Sequence, residues 1–139
     1  MAGRQPIPWA ERARQFEDDP VLSEFARPFP DLLGDDDDIG GSFEQIARAL
    51  GKSKRTGSIQ VSVGEGRKTR RYGLAMTPGA CEVTGEAIES PDLEIITDAK
   101  TWADIASGRV APLEAFGSGK VRVLGSIEMA RVLARRVHR

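Results

Sequence analysis

Hydrophobic side chains recur along this chain with two different periods, and the switches between them mark out its elements. Phe43, Ile46, Ala47 and Leu50 fall at i, i+3, i+4 and i+7, the apolar stripe of one helix. Ser42, with Gln45 three residues on, has the spacing of a capping box at its start, and Gly51 stands where such a helix ends. From Ile59 the period becomes two. Ile59, Val61 and Val63 alternate with Gln60 and Ser62, and Tyr72, Leu74 and Met76 alternate with Arg71, Gly73 and Ala75. Gly64-Glu65-Gly66-Arg67 turns the chain between these runs, so they predict a hairpin with one apolar face. Ala80 to Thr84 and Asp92 to Thr97 predict two more strands.

Helical spacing returns with Trp102, Ile105 and Ala106, after Asp98 as N-cap and before Gly108 as a stop. Pro112 suits the first turn of a short helix carrying Leu113 and Phe116. Lys120 to Leu124 predicts a last strand. A final helix presents Met129, Val132, Leu133 and Val137, with Glu128 near its positive end and Arg135 and Arg136 near its negative end. Hairpin-linked strands beside grouped helices predict an α+β fold, a mostly antiparallel sheet with helices on one face.

Residues 1–41 follow neither period for long. Pro6, Pro8, Pro20, Pro28 and Pro30 interrupt regular structure, and the carboxylates of Asp35 to Asp38 repel one another. Two short pieces keep helical spacing, Trp9 to Phe16 and Val21 to Ala26. The expected organisation is an N-terminal extension over 1–41, partly disordered or docked as a lid through Phe25 and Phe29, and a domain over 42–139.

Composition narrows the function classes. The chain has 139 residues with 20 basic and 21 acidic side chains, so no global field draws it to nucleic acid or anionic membranes. Its apolar runs are too short to span a bilayer, the N-terminus lacks an apolar signal region, and the single cysteine forbids an internal disulfide. A cytoplasmic protein is expected. Charge is nonetheless uneven: residues 51–71 hold seven basic groups and one acidic. The plain reading of Arg67-Lys68-Thr69-Arg70-Arg71 is a solvated hairpin arm. Transient contact with anionic headgroups is the alternative, and no nucleic-acid module surrounds the run.

Catalytic constellations are scarce. His138 is the only histidine and stands second from the end, which leaves a nucleophile without a base. Neither catalytic nor metal-binding residues are expected, nor a cofactor. Cys81 reads as an inert thiol, and Gly64-x-Gly66 and Gly117-x-Gly119 read as turns.

The second half resembles the sterol-carrier-protein family. The resemblance rests on an ordered series: Pro91-Asp92-Leu93-Glu94-Ile95-Ile96-Thr97, then Thr101 to Arg109, Pro112-Leu113-Glu114-Ala115-Phe116, and Gly119-Lys120-Val121-Arg122-Val123-Leu124-Gly125 before the closing apolar helix. It is good over about 91–134, acceptable over 42–90 and absent from 1–41. It implies a five-stranded sheet with a cavity beneath its helices, holding a hydrophobic small molecule such as a sterol, fatty acyl chain or polyketide-like compound. On that reading the ligand-binding set is Ile59, Val61, Tyr72, Leu74, Met76, Trp102, Ile105, Phe116, Met129 and Leu133, with Tyr72 or the Trp102 N–H as a polar fixing point. Two further readings stay open. The pocket serves a cyclase or isomerase if a buried acid such as Glu44, Asp104 or Glu114 faces it, and the domain acts as a homodimerising module if its core is filled.

Overall fold

The computed structural model describes residues 18–33 and 39–137. Five strands form one sheet in the order β3-β2-β1-β4-β5. They are β1 Gly57–Glu65, β2 Lys68–Thr77, β3 Ala80–Thr84, β4 Leu93–Asp98 and β5 Arg122–Gly125. β1 and β2 pair antiparallel from Gly57↔Met76 to Glu65↔Lys68, around a turn where Gly66 takes a φ of +60°. The β2–β3 and β4–β5 pairs are also antiparallel, whereas β1 and β4 run parallel. The sheet is therefore mixed and mostly antiparallel.

Four helices follow the apolar stripes: α1 Ile39–Leu50, α2 Ala99–Ala106, α3 Pro112–Gly117 and α4 Ile127–Val137. α1 lies over β2 and β3 and touches α2 and α4, while α2 lies over β1 and β4. Asp98 caps α2 by accepting from the Thr101 N–H at 2.7 Å, and Pro112 opens α3. The alternation of β1 puts Ile59, Val61 and Val63 under the helices, each at most 2 % exposed. The opposite face carries Ser58, Gln60 and Ser62. The β3–β4 connection crosses that face, where the Gln60 Oε1 accepts from the Ile88 N–H at 2.6 Å.

One local expectation is corrected. Ser42 does not cap α1, because the helix begins three residues earlier. Inside the helix the Ser42 hydroxyl donates to the Ile39 carbonyl at 2.5 Å and accepts from the Trp102 indole N–H at 2.9 Å. Gly40 and Gly41 are tolerated within the first turn, where each costs only about 1 kcal/mol relative to alanine.

Of the N-terminal residues, Trp9 to Phe16 lie outside the described residues. Asp18 to Leu33 pack on the helical layer, and Leu22, Phe25, Phe29 and Leu33 are buried in the same apolar cluster as the sheet face. Leu22–Ala26 forms a single 3-10 turn. The Asp19 Oδ1 caps it, accepting from the Val21 and Leu22 N–H groups at 2.8 and 3.0 Å. Its other oxygen accepts from Arg131 of α4 at 2.9 and 2.6 Å. Further along, the Leu32 N–H donates to the Ala106 carbonyl at 2.7 Å. Gly108 ends α2 with a φ of +85°, and a side chain there would meet the Phe29 carbonyl at 2.6 Å. The α2 stop thus leaves the room that seats this segment.

Candidate functional site

A pocket of about 60 Å³ lies between the sheet and the helices. Its floor is Ile59, Val61, Leu74, Leu93, Ile95 and Val123, with Val121 at the approach to β5. Its roof comes from Ile46 of α1, Trp102 and Ile105 of α2, Pro112, Leu113 and Phe116 of α3, and Ala130 and Leu133 of α4. Phe25 and Phe29 of the N-terminal segment complete the wall, their rings 6.2 Å apart and tilted by 54°. Among the described residues every lining side chain is apolar except for the indole nitrogen of Trp102, and that N–H is already given to Ser42. Most of the lining is buried. Only Ile95, Val123 and Pro112 are partly exposed, which puts the opening between the β5 edge and the start of α3.

Seven of the ten side chains expected to bind ligand meet at this pocket: Ile59, Val61, Leu74, Trp102, Ile105, Phe116 and Leu133. Tyr72, Met76 and Met129 sit elsewhere. Tyr72 stacks on Phe43 at 4.3 Å, and Phe43 stacks in turn on Trp102 at 4.8 Å. This three-ring pile separates Tyr72 from the pocket, so neither Tyr72 nor the occupied Trp102 N–H offers a ligand a free polar group inside it. Met76 is buried at the far end of β2, opposite Gly57. Met129 lies over Gly57, its methyl group filling the space a Cβ would need. Both methionines share the helix-covered side of the sheet but lie displaced along the strands.

The candidate acids are also outside. Glu44 and Glu114 are exposed, and Asp104 bonds the Arg109 Nε at 3.2 Å. Burial first, then the neighbouring Glu82, pushes the Cys81 thiol up to about 11, so it stays protonated and unreactive at neutral pH. Among the described residues no three His, Cys, Asp or Glu side chains gather as metal ligands, and no helix is long and apolar enough to cross a membrane.

The sequence matches the model of the SCP-2 sterol transfer family over residues 44–137. The chain belongs to this family. The match takes in the sheet and all but the first turn of the helical layer, and it leaves out the segment that brings Phe25 and Phe29 to the pocket. Among solved structures, the chain is similar to sterol carrier protein 2 like 2 of Aedes aegypti, with a TM-score of 0.56 at 18% identity, covering 67% of this chain and 90% of that one. The solution structure of the palmitated form of that protein gives 0.58 at 18% identity, over 70% and 91% of the two chains. A sec-alkylsulfatase of Pseudomonas sp. carries the same fold within a larger chain, with a TM-score of 0.57 at 16% identity over 71% of this chain and 16% of its own. No curated protein matches the sequence significantly.

Proposed function

We propose that this SCP-2 family member is a carrier for a flexible, apolar small molecule, held in the pocket beneath the helices, which residues 18–33 close as a lid when the pocket is empty. The observation that carries the reading is the wholly apolar lining without a free polar group, which gives a hydrocarbon chain a dry site and a reactive group no partner. The palmitated state of the Aedes aegypti relative favours a fatty acyl chain among the candidate ligands. A cyclase or isomerase would need an acid at the lining, and Glu44, Asp104 and Glu114 are all outside it.

The size of the pocket supports a role for the lid in exchange. At about 60 Å³ the pocket is less than half the roughly 150 Å³ that holds a benzene in an engineered cavity. An acyl chain enters only if side chains leave, and Phe25 and Phe29 are the part of the described lining that the family match does not include. Withdrawing two buried phenylalanines costs about 3–6 kcal/mol. Burying roughly 300 Å² of ligand returns about 7 kcal/mol. The lid and the ligand are competitors of similar strength, which suits a carrier that must release what it holds.

The test is titration with a fluorescent long-chain fatty acid. The chain lacking residues 1–33 and the full chain carrying Phe25→Ala and Phe29→Ala are both expected to bind at least tenfold more tightly than the unaltered protein. Binding unchanged in both variants would remove the lid from the reading. No binding by any of the three would remove the carrier.

A further inference from the structure

The pocket opening borders a mainly basic surface. Strand register brings three separate segments to the hairpin end of the sheet: Gly64 pairs with both Thr69 and Asp98, and Ile96 pairs with Arg122. Residues 64–71, 96–100 and 118–122 together carry Arg67, Lys68, Arg70, Arg71, Lys100, Lys120 and Arg122, against the carboxylates of Glu65 and Asp98. All seven cations are exposed. Asp98 is held at the cap of α2, Glu65 approaches Arg70 at 3.6 Å, and Lys100 faces Asp104 of α2 at 3.6 Å, so the cations still outnumber the carboxylates by seven to three. The whole chain has 20 basic and 21 acidic groups, so this end is strongly positive on a molecule with almost no net charge.

We infer that this end is a docking surface for an anionic lipid membrane, oriented so that the pocket opening faces the bilayer interface. The inference rests on the carrier reading for its purpose, though not for its test. Three observations favour lipid over nucleic acid. The cations span four adjacent strands, from β2 to β5, about 14 Å at the usual strand spacing, which makes a broad front rather than a groove. Val121 lines the pocket while its neighbours Lys120 and Arg122 point cations outward, so the charged front and the apolar opening share one rim. Among the described residues no aromatic ring at this end is offered for stacking on bases, because the nearby Tyr72 is taken by Phe43. Each lysine or arginine at an anionic surface strengthens partitioning by about fivefold.

Vesicle flotation of the full chain tests this without any pocket ligand. Vesicles of equal parts phosphatidylcholine and phosphatidylglycerol are expected to carry the protein, pure phosphatidylcholine vesicles are not, and rising salt is expected to release it. Neutralising Arg67, Lys68, Lys120 and Arg122 to glutamine should lower partitioning by about tenfold or more. The same change at Arg48, Lys52, Lys54 and Arg135, exposed cations outside this front, should leave it within about twofold. No uptake by the anionic vesicles, equal loss in both variants, or tighter binding to a single-stranded RNA oligonucleotide would each overturn the inference. The front variant should keep its fatty-acid affinity in free solution. A wild-type chain that docks yet binds no fatty acid would sink the carrier reading and leave the docking surface standing.

Discussion

Ser42 shows how one polar atom can tie two layers together. Its hydroxyl gives its proton to its own helix and its lone pair to the Trp102 indole, which leaves both groups satisfied in a fully buried place. Ser42→Ala removes the acceptor and strands the indole N–H. The expected cost is about 1–3 kcal/mol, read from the midpoint of a urea unfolding curve. Sequence spacing singled out this serine and gave it the wrong role. The capping-box pattern describes a local competition for backbone donors, while the partner that decides Ser42 lies 60 positions away. Neighbouring residues were more legible. Asp98 and Pro112 act within one helical turn, where spacing alone suffices.

Among the elements, the segment over 18–33 is joined to α4 by the Asp19–Arg131 ion pair, which gives it a pH limit. Arg131, through its hydrogen bonds, holds the Asp19 carboxyl down to about 2 from an ordinary 3.8, helped by the Leu22 and Val21 N–H groups. A depressed carboxyl pKa stabilises the docked form above the free value and loses that contribution as pH falls through the docked one. Amide exchange over residues 22–33 is therefore expected to stay slow from neutral pH to about 4 and to quicken between 4 and 2, relative to the strands. Asp19→Asn should show the faster exchange already at neutral pH, by at least about tenfold, and lose the acid step. The strands show what alternation can and cannot predict. It gave the inward face of β1 and β2 correctly, yet Tyr72 and Met76 are on that face and off the pocket. Position across the sheet depends on β4 inserting beside β1, a long-range pairing that no local period encodes. Leu93, Ile95, Val121 and Val123 were visible as strand residues, and only the strand order makes them floor.

On the carrier reading, the volume of about 60 Å³ left in the core is stability that the whole molecule forgoes for binding. Ala130 lines the pocket from α4 and is 2 % exposed. Ala130→Leu adds three carbons to a space of about 60 Å³. It is expected to leave thermal stability equal or higher by up to about 1 kcal/mol while lowering fatty-acid affinity at least tenfold, as calorimetry and fluorescence titration would show. A fall in stability without a change in affinity would mean that the space is closed core rather than a binding site. The α+β architecture was readable because periods and turns agree throughout 42–137, with the cap at Ser42 the exception. The free volume was not, because a helix face that covers a ligand and one that fills a core have the same pattern.

The ion pair between Asp19 and Arg131 joins residues 112 positions apart. During synthesis Asp19 is made before every strand of the sheet and Arg131 after all of them. At cellular elongation rates the gap is on the order of ten seconds. Through that interval the segment lacks its clasp, so on the carrier reading an apolar molecule can reach the pocket before Phe25 and Phe29 are fastened over it.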